Sequence, residues 1–178
     1  LGGELSAIPV PVKEFCRFKG YYTGKNGTGT KYYGEDGIAV RTYEQSGDRT
    51  LYALWETNCT VRHYRQKLNG KASLQNDGNY TLEEESIISA NVGSKISPAR
   101  NTYRGFFTPD IKTVTVSDGG TVINYYYMLK YGDINDDDEI NAADIAALKR
   151  ALLENGTLGD RAKVLADANG DGVIGIGD

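Results

Sequence analysis

The stretch Asp133-Ile-Asn-Asp-Asp-Asp-Glu-Ile-Asn-Ala-Ala-Asp144 decides how the C-terminal part of this 178-residue chain is read. Calcium is a hard cation that takes roughly six to eight oxygens at about 2.3–2.6 Å, and a loop of about 12 residues presents them from positions 1, 3, 5, 7, 9 and 12. Those positions fall on Asp133, Asn135, Asp137, Glu139 through its backbone carbonyl, Asn141 directly or through water, and Asp144. A second copy starts 34 residues later, as Asp167-Ala-Asn-Gly-Asp-Gly-Val-Ile-Gly-Ile-Gly-Asp178. Its ligands are Asp167, Asn169, Asp171, the carbonyl of Val173 and Asp178, with a water opposite Gly175. Gly172 occupies the sixth position, where such a loop turns sharply. The first loop has Asp138 there, a residue that tolerates positive φ better than most, so the second loop is the cleaner match. One acidic string of this kind is weak evidence, because acidic turns are common. Two with the same ligand order, each closing on Asp, favour two calcium ions over a pair of solvated acidic loops.

The charge distribution agrees. Residues 131–178 hold 11 Asp/Glu against four Lys/Arg, a net of −7, whereas residues 1–130 hold 13 acids against 16 bases, a net of +3, within a chain of net −4. A cation neutralises carboxylates that would otherwise repel, and it couples metal binding to the folding of a segment too small for a large core. Between the loops, Ile145, Leu148 and Leu152 fall on one helical stripe, with Ala146, Ala147 and Ala151 favouring the helix. Asn155-Gly156 is the expected stop.

Upstream the pattern changes to strands. With 22 Gly, 13 Tyr and 39% apolar residues, the composition is that of a turn-rich, largely β protein. Cys16-Arg-Phe-Lys-Gly-Tyr-Tyr-Thr23 leads into Gly24-Lys-Asn-Gly-Thr-Gly-Thr30, whose glycines suit tight turns. Thr50-Leu-Tyr-Ala-Leu-Trp55 alternates with apolar residues on both faces, which predicts a central strand. Glu56-Thr-Asn58 reads as a connection, and a fresh strand is expected at Thr60-Val-Arg-His-Tyr-Arg-Gln66. Thr113-Val-Thr-Val-Ser117, Asp118-Gly-Gly120 and Thr121-Val-Ile-Asn-Tyr-Tyr-Tyr127 read as a hairpin. Cys16 and Cys59 are either one disulfide, if the chain is extracellular, or two free thiols.

Three resemblances organise these blocks. Residues 131–178 resemble a dockerin of the cellulosome type, through the two loops, Asp rather than Glu at position 12, and a strand rather than a helix before the first loop. That resemblance implies a cohesin as partner, recognised by Ala142 and Ala143 at loop positions 10 and 11 and by Lys149 and Arg150 on the helix, with Ile145 and Leu153 beside them. Lys149-Arg150 matches a frequent dockerin pattern, whereas the alanine pair departs from the Ser-Thr seen in many. The helix expected after the second loop would lie beyond Asp178, so the module is expected to be incomplete at its C-terminus. Residues 1–57 resemble an internalin-type B-repeat through Phe18-Lys-Gly-Tyr-Tyr-Thr23, Asn26-Gly-Thr-Gly-Thr-Lys-Tyr32 and Thr50–Trp55. Residues 58–130 are similar to a mucin-binding-protein-like repeat through Val61-Arg-His-Tyr64, Tyr80-Thr-Leu82, Tyr103-Arg-Gly-Phe106, Asp118-Gly-Gly-Thr-Val122 and Tyr125-Tyr-Tyr127. The expected architecture is mostly β, two small β-grasp-like modules, followed by a small all-α calcium-loop module.

Several function classes lose support. His63, the one histidine, lies mid-strand with no nucleophile-and-base pattern around it, so a half-buried structural position is expected rather than catalysis. Glu83-Glu-Glu85 reads as a solvated charge run. P-loop, dinucleotide and zinc patterns are missing, and the basic excess upstream is too small and scattered for nucleic acid. There is no run of about 18 apolar residues to insert in a membrane, and no signal peptide begins at Leu1. Two readings remain. In one, a non-catalytic extracellular module set anchors its parent protein to a cohesin on a bacterial scaffold for polysaccharide degradation, with the β-repeats as spacer or adhesion units. In the other, 1–130 itself binds a glycan or surface protein, with Tyr21, Tyr22, Tyr32, Tyr33 and Tyr125–Tyr127 as the stacking platform, and the dockerin carries that specificity to the assembly.

Overall fold

Tyr52–Gln66 forms one strand of 15 residues in the computed structural model, which describes residues 3–44, 46–153, 157–175 and 177–178. In chain order the strands are β1 (Cys16–Tyr22), β2 (Lys31–Tyr33), β3 (Tyr52–Gln66), β4 (Tyr80–Asn91), β5 (Lys95–Ile96), β6 (Phe106–Phe107), β7 (Val114–Thr115) and β8 (Thr121–Leu129). Two helices follow, α1 (Ala142–Leu153) and α2 (Asp160–Ala166). The connection expected at Glu56-Thr-Asn58 is strand instead. Its polar side chains have partners there: Thr57 is buried and its Oγ1 donates to the Phe15 carbonyl at 2.9 Å, and Asn58 accepts from Ser89 at 3.1 Å. Polar side chains satisfied in place, as Thr57 and Asn58 are, do not need a loop. β3 is hydrogen-bonded to β1, β4 and β8, the central position its two apolar faces predict.

The described chain divides into two compact units, and β3, β4 and β8 each contribute residues to both. The first comprises Leu1–Val61, Ser86–Pro98 and Lys112–Ile123. Here β1 pairs antiparallel with β3 from Cys16 opposite Thr57 to Tyr22 opposite Tyr52, with a register shift between Phe18 and Gly20. Gly20 sits at φ 124°, and a Cβ there would lie 2.2 Å from the Tyr33 carbonyl oxygen, so only glycine lets the neighbouring strand approach. Phe18, Tyr32, Tyr33, Leu54, Val61 and Ile123 fill the core. Cys59 is buried and Cys16 donates to the Asp118 carbonyl at 3.0 Å, and both thiols are free. The hairpin expected over 113–127 does not form. β7 pairs with β5, Ile96 opposite Val114, and Val116 continues that ladder by bonding Gly93 and Ser94, while β8 joins β3 and β6. The turn at 118–120 is present, but the strands on its two sides go to different partners.

The second unit comprises Arg62–Glu85, Ala99–Ile111 and Asn124–Asp178. Residues from 131 onward therefore share one compact unit with strand residues upstream of them. Tyr80, Tyr125, Tyr127 and Leu129 are buried in its core. His63 is buried among them: its Nδ1 is 2.8 Å from the Tyr127 hydroxyl and its ring stacks on Tyr125. Burial lowers its pKa, the behaviour of a structural imidazole kept neutral. Glu83 and Glu85 pair with Arg65 and Arg62, so the expected solvated run is partly an ion-pair ladder. Gln66 closes β3 with three bonds, accepting from Leu129 N and donating to the Gly70 carbonyl and the Tyr131 hydroxyl. Among the described residues no helix is long and apolar enough to cross a membrane. Asn155-Gly156, the expected helix stop, lies outside the described residues.

Candidate metal centre

The two acidic strings fold into loops with the same internal hydrogen bonds. At position 1, Asp133 accepts the N–H groups of Asp137 and Asp138, and Asp167 accepts those of Asp171 and Gly172. At position 3, Asn135 accepts from Asp137 and Asn169 from Asp171. At position 5, Asp137 accepts from Glu139 and Asp171 from Val173. At position 12, Asp144 accepts from Asn135 at 3.1 Å and Asn141 at 2.8 Å, and Asp178 accepts from Asn169 at 3.4 Å and Gly175 at 2.8 Å. Asp144 also takes the Ile134 N–H, at 2.8 Å. Each closing aspartate thus ties the loop's end to its beginning. Asn141 in addition caps α1 by accepting the Ala143 N–H at 2.7 Å.

The backbones match as well. Positions 4 and 6 are left-handed in both loops: Asp136 at φ 57° and Asp138 at φ 74°, Gly170 at φ 74° and Gly172 at φ 83°. Asp138 takes the turn, as its place in the pattern requires.

The loops differ in burial. Asp133 and Asp144 are 0% and 2% exposed, whereas Asp167 is half-buried and Asp171 and Asp178 are exposed. Burial raises the pKa of Asp133, helped by the negative charges of Asp144 and Asp136 and opposed by two backbone N–H groups. Burial also acts on Asp144, but the N–H groups of Asn141, Asn135 and Ile134 outweigh it and leave that carboxyl below the usual range. Among the described residues neither carboxylate forms an ion pair with a Lys, Arg or His. Two buried acids without a cation are what a divalent ion would neutralise. The donor set is all oxygen, which suits a hard cation. Among the described residues no three Asp, Glu, His or Cys side chains make a metal cage by themselves. A loop of this kind does not need one, because Asn side chains and a backbone carbonyl supply part of the shell.

Residues 131–177 match the Dockerin type I domain. The dockerin segment contains both loops and both helices, and α2 just before the second loop is an element the hydrophobic pattern did not announce. No curated protein and no solved structure matches the chain.

The residues read as cohesin contacts, Ala142, Ala143, Ile145, Lys149, Arg150 and Leu153, are all exposed on α1. Leu153 is 82% exposed and Ile145 56%. Beside them a groove of about 570 Å³ is lined by Ile134, Ile140, Ile145, Leu148, Leu152 and Leu165. Of the tyrosines considered for sugar stacking, Tyr32, Tyr33, Tyr125 and Tyr127 are core residues, and Tyr21, Tyr22 and Tyr126 are half-buried.

Sequence reasoning missed the partners of Asp136 and Asp138. The Asp138 carboxylate accepts from Gly105 N at 2.9 Å and from Lys130 Nζ at 2.7 Å, and its carbonyl accepts from Lys130 Nζ at 2.8 Å. Lys130 holds the Asp138 carboxyl below the usual range. Arg104 donates to the Asp136 carbonyl, and Arg161 of α2 reaches the Asp136 carboxylate at 3.2 Å and the Gly105 carbonyl at 3.1 Å.

Proposed function

We propose that residues 131–178 bind two calcium ions, one per loop, and dock into a cohesin through the exposed face of α1. The first ion would be held by Asp133, Asn135, Asp137, the Glu139 carbonyl, Asn141 and Asp144, and the second by Asp167, Asn169, Asp171, the Val173 carbonyl and Asp178. Ala142, Ala143, Ile145, Lys149, Arg150 and Leu153 are the contact residues. The match of 131–177 to the dockerin domain carries this reading, and a dockerin supports a cohesin-binding, modular role. The chain is a non-catalytic, extracellular part of a bacterial protein that it tethers to a cellulosome-like scaffold, and the strand region of 1–130 serves as a spacer or adhesion unit.

The test is a binding screen of the full chain against a cohesin panel, with calcium and with chelator. Calcium-dependent capture by at least one cohesin, lost in Lys149→Glu/Arg150→Glu, is expected. A complete panel without a binder overturns the tethering role, and calorimetry without calcium uptake overturns the metal sites.

A further inference from the structure

We infer that Arg104 and Lys130, which lie outside the segment matching the dockerin domain, are positioning residues of the first loop and couple its ion to the turn at Tyr103–Phe106. This rests on the calcium reading above.

The two loops share their hydrogen bonds and their left-handed positions, and positions 4 and 6 supply no metal ligand. In the second loop both positions are glycine with nothing within 4 Å of where a Cβ would stand. In the first loop both are aspartate, which adopts the same backbone with more strain. What offsets that strain is the set of partners. Lys130 Nζ bonds both the carboxylate and the carbonyl of Asp138, and Gly105 N donates to the same carboxylate. Arg104 bonds the Asp136 carbonyl, and Arg161 bridges Asp136 and Gly105. The Lys130 side chain is 17% exposed, so its pair with Asp138 is partly shielded from solvent.

The turn has its own reasons to be rigid. Gly105 stands at φ 75°, and a Cβ there would meet Arg161 Nη2 at 2.0 Å. The guanidinium groups of Arg65 and Arg161 both lie over the Phe106 ring, at 5.4 and 5.5 Å. The Lys130 N–H returns to the Gly105 carbonyl at 3.1 Å. The non-ligand corners of the first loop are therefore held by a preformed surface. By linkage, whatever the turn contributes to ion affinity, the ion returns to the turn as stability.

The experiment uses the full chain, with calcium titrated by calorimetry and amide exchange measured with and without the ion. Wild type is expected to take up two ions, and calcium is expected to slow exchange at Gly105, Phe106 and Lys130 by about tenfold or more. The variant Lys130→Met/Asp138→Gly keeps the local charge constant and gives position 6 the residue the turn prefers. It is expected to bind the first ion about tenfold more weakly, the range seen when residues behind metal ligands are removed. The second ion should bind as before, and the calcium effect at Phe106 and Lys130 should shrink several-fold, to what the bonds of Arg104 and Arg161 to Asp136 still carry. If wild type takes two ions yet exchange at Gly105, Phe106 and Lys130 ignores them, the coupling is wrong while the metal sites stand. First-loop affinity in the variant equal to or tighter than wild type also overturns it. A chain that takes up no calcium overturns both.

Discussion

The two loops of the dockerin segment are near copies in hydrogen bonding and opposites in surroundings. The second has the sequence such a loop prefers, with glycine at both left-handed positions, and it stands exposed. The first spends aspartates at those positions and sits against Gly105, Lys130, Arg104 and Arg161 with its end carboxylates buried. Fit to a pattern and support by a fold are thus separate sources of order. One loop is shaped mainly by its own residues and the other by its neighbours.

The largest expected difference lies at position 1. With calcium at about a hundredfold over Kd, losing one ion costs about 2.7 kcal/mol of linkage. Asp133→Ala should cost that and a further ~1–3 kcal/mol for the Asp138 N–H, which loses its bond to the buried Asp133 carboxylate, whereas at Asp167→Ala, where the bonded N–H groups belong to exposed Asp171 and Gly172, water replaces the lost bonds. Urea unfolding of the two variants in calcium checks this, and equal losses would show that burial makes no difference. Next in size is Gly105→Ala. The positive φ should cost about 1–2 kcal/mol, and moving the Arg161 guanidinium off Asp136 and the Gly105 carbonyl about 1 kcal/mol more, against about 1–2 kcal/mol for Gly170→Ala, where the space is open. Thermal melts of both variants give the comparison. Gly172→Asp copies the first loop's residue without its anchors and should cost about 1 kcal/mol. If it costs nothing, the anchors at Asp138 are dispensable.

The smallest effect comes from acid. The His63 pKa is lowered in the folded chain, so the unfolded chain binds more protons as pH falls below the unfolded value of about 6.5. Stability is full above that pH and declines below it, down to the lowered folded pKa. Because the strands around His63 belong to the unit that holds the first loop, exchange at Asp137 and Asp138 should rise between pH 7 and 5. His63→Gln should flatten that dependence, measured by exchange corrected for its intrinsic pH rate.

The loops were legible because their shape is local: the Asp and Asn spacing, the closing aspartate and the left-handed sixth position are all set within 12 residues. The strand region was legible in kind but not in connection. Glu56-Thr-Asn58 looks like a loop until Phe15 and Ser89 are seen to satisfy Thr57 and Asn58. The hairpin at 113–127 fails because β5 competes for β7, and pairings between distant segments leave no periodic trace. α2 has seven residues, too few for a clear stripe. Lys130 and Arg104 were invisible as loop partners for a related reason. Their bonds to Asp138 and Asp136 depend on where a turn and a strand end are brought in three dimensions, although Tyr103-Arg-Gly-Phe106 stood out as a motif.

Gly170 has a chemical cost that its left-handed backbone does not reveal. It follows Asn169, and an asparagine whose next residue has no side chain leaves that residue's nitrogen unhindered to attack the side-chain amide, closing a succinimide that reopens as aspartate or isoaspartate. Asn135, the corresponding residue of the first loop, is followed by Asp136, whose side chain obstructs the same cyclisation. The loop better fitted to its turn is the one that ages faster on storage, and its position-3 side chain is the group at risk.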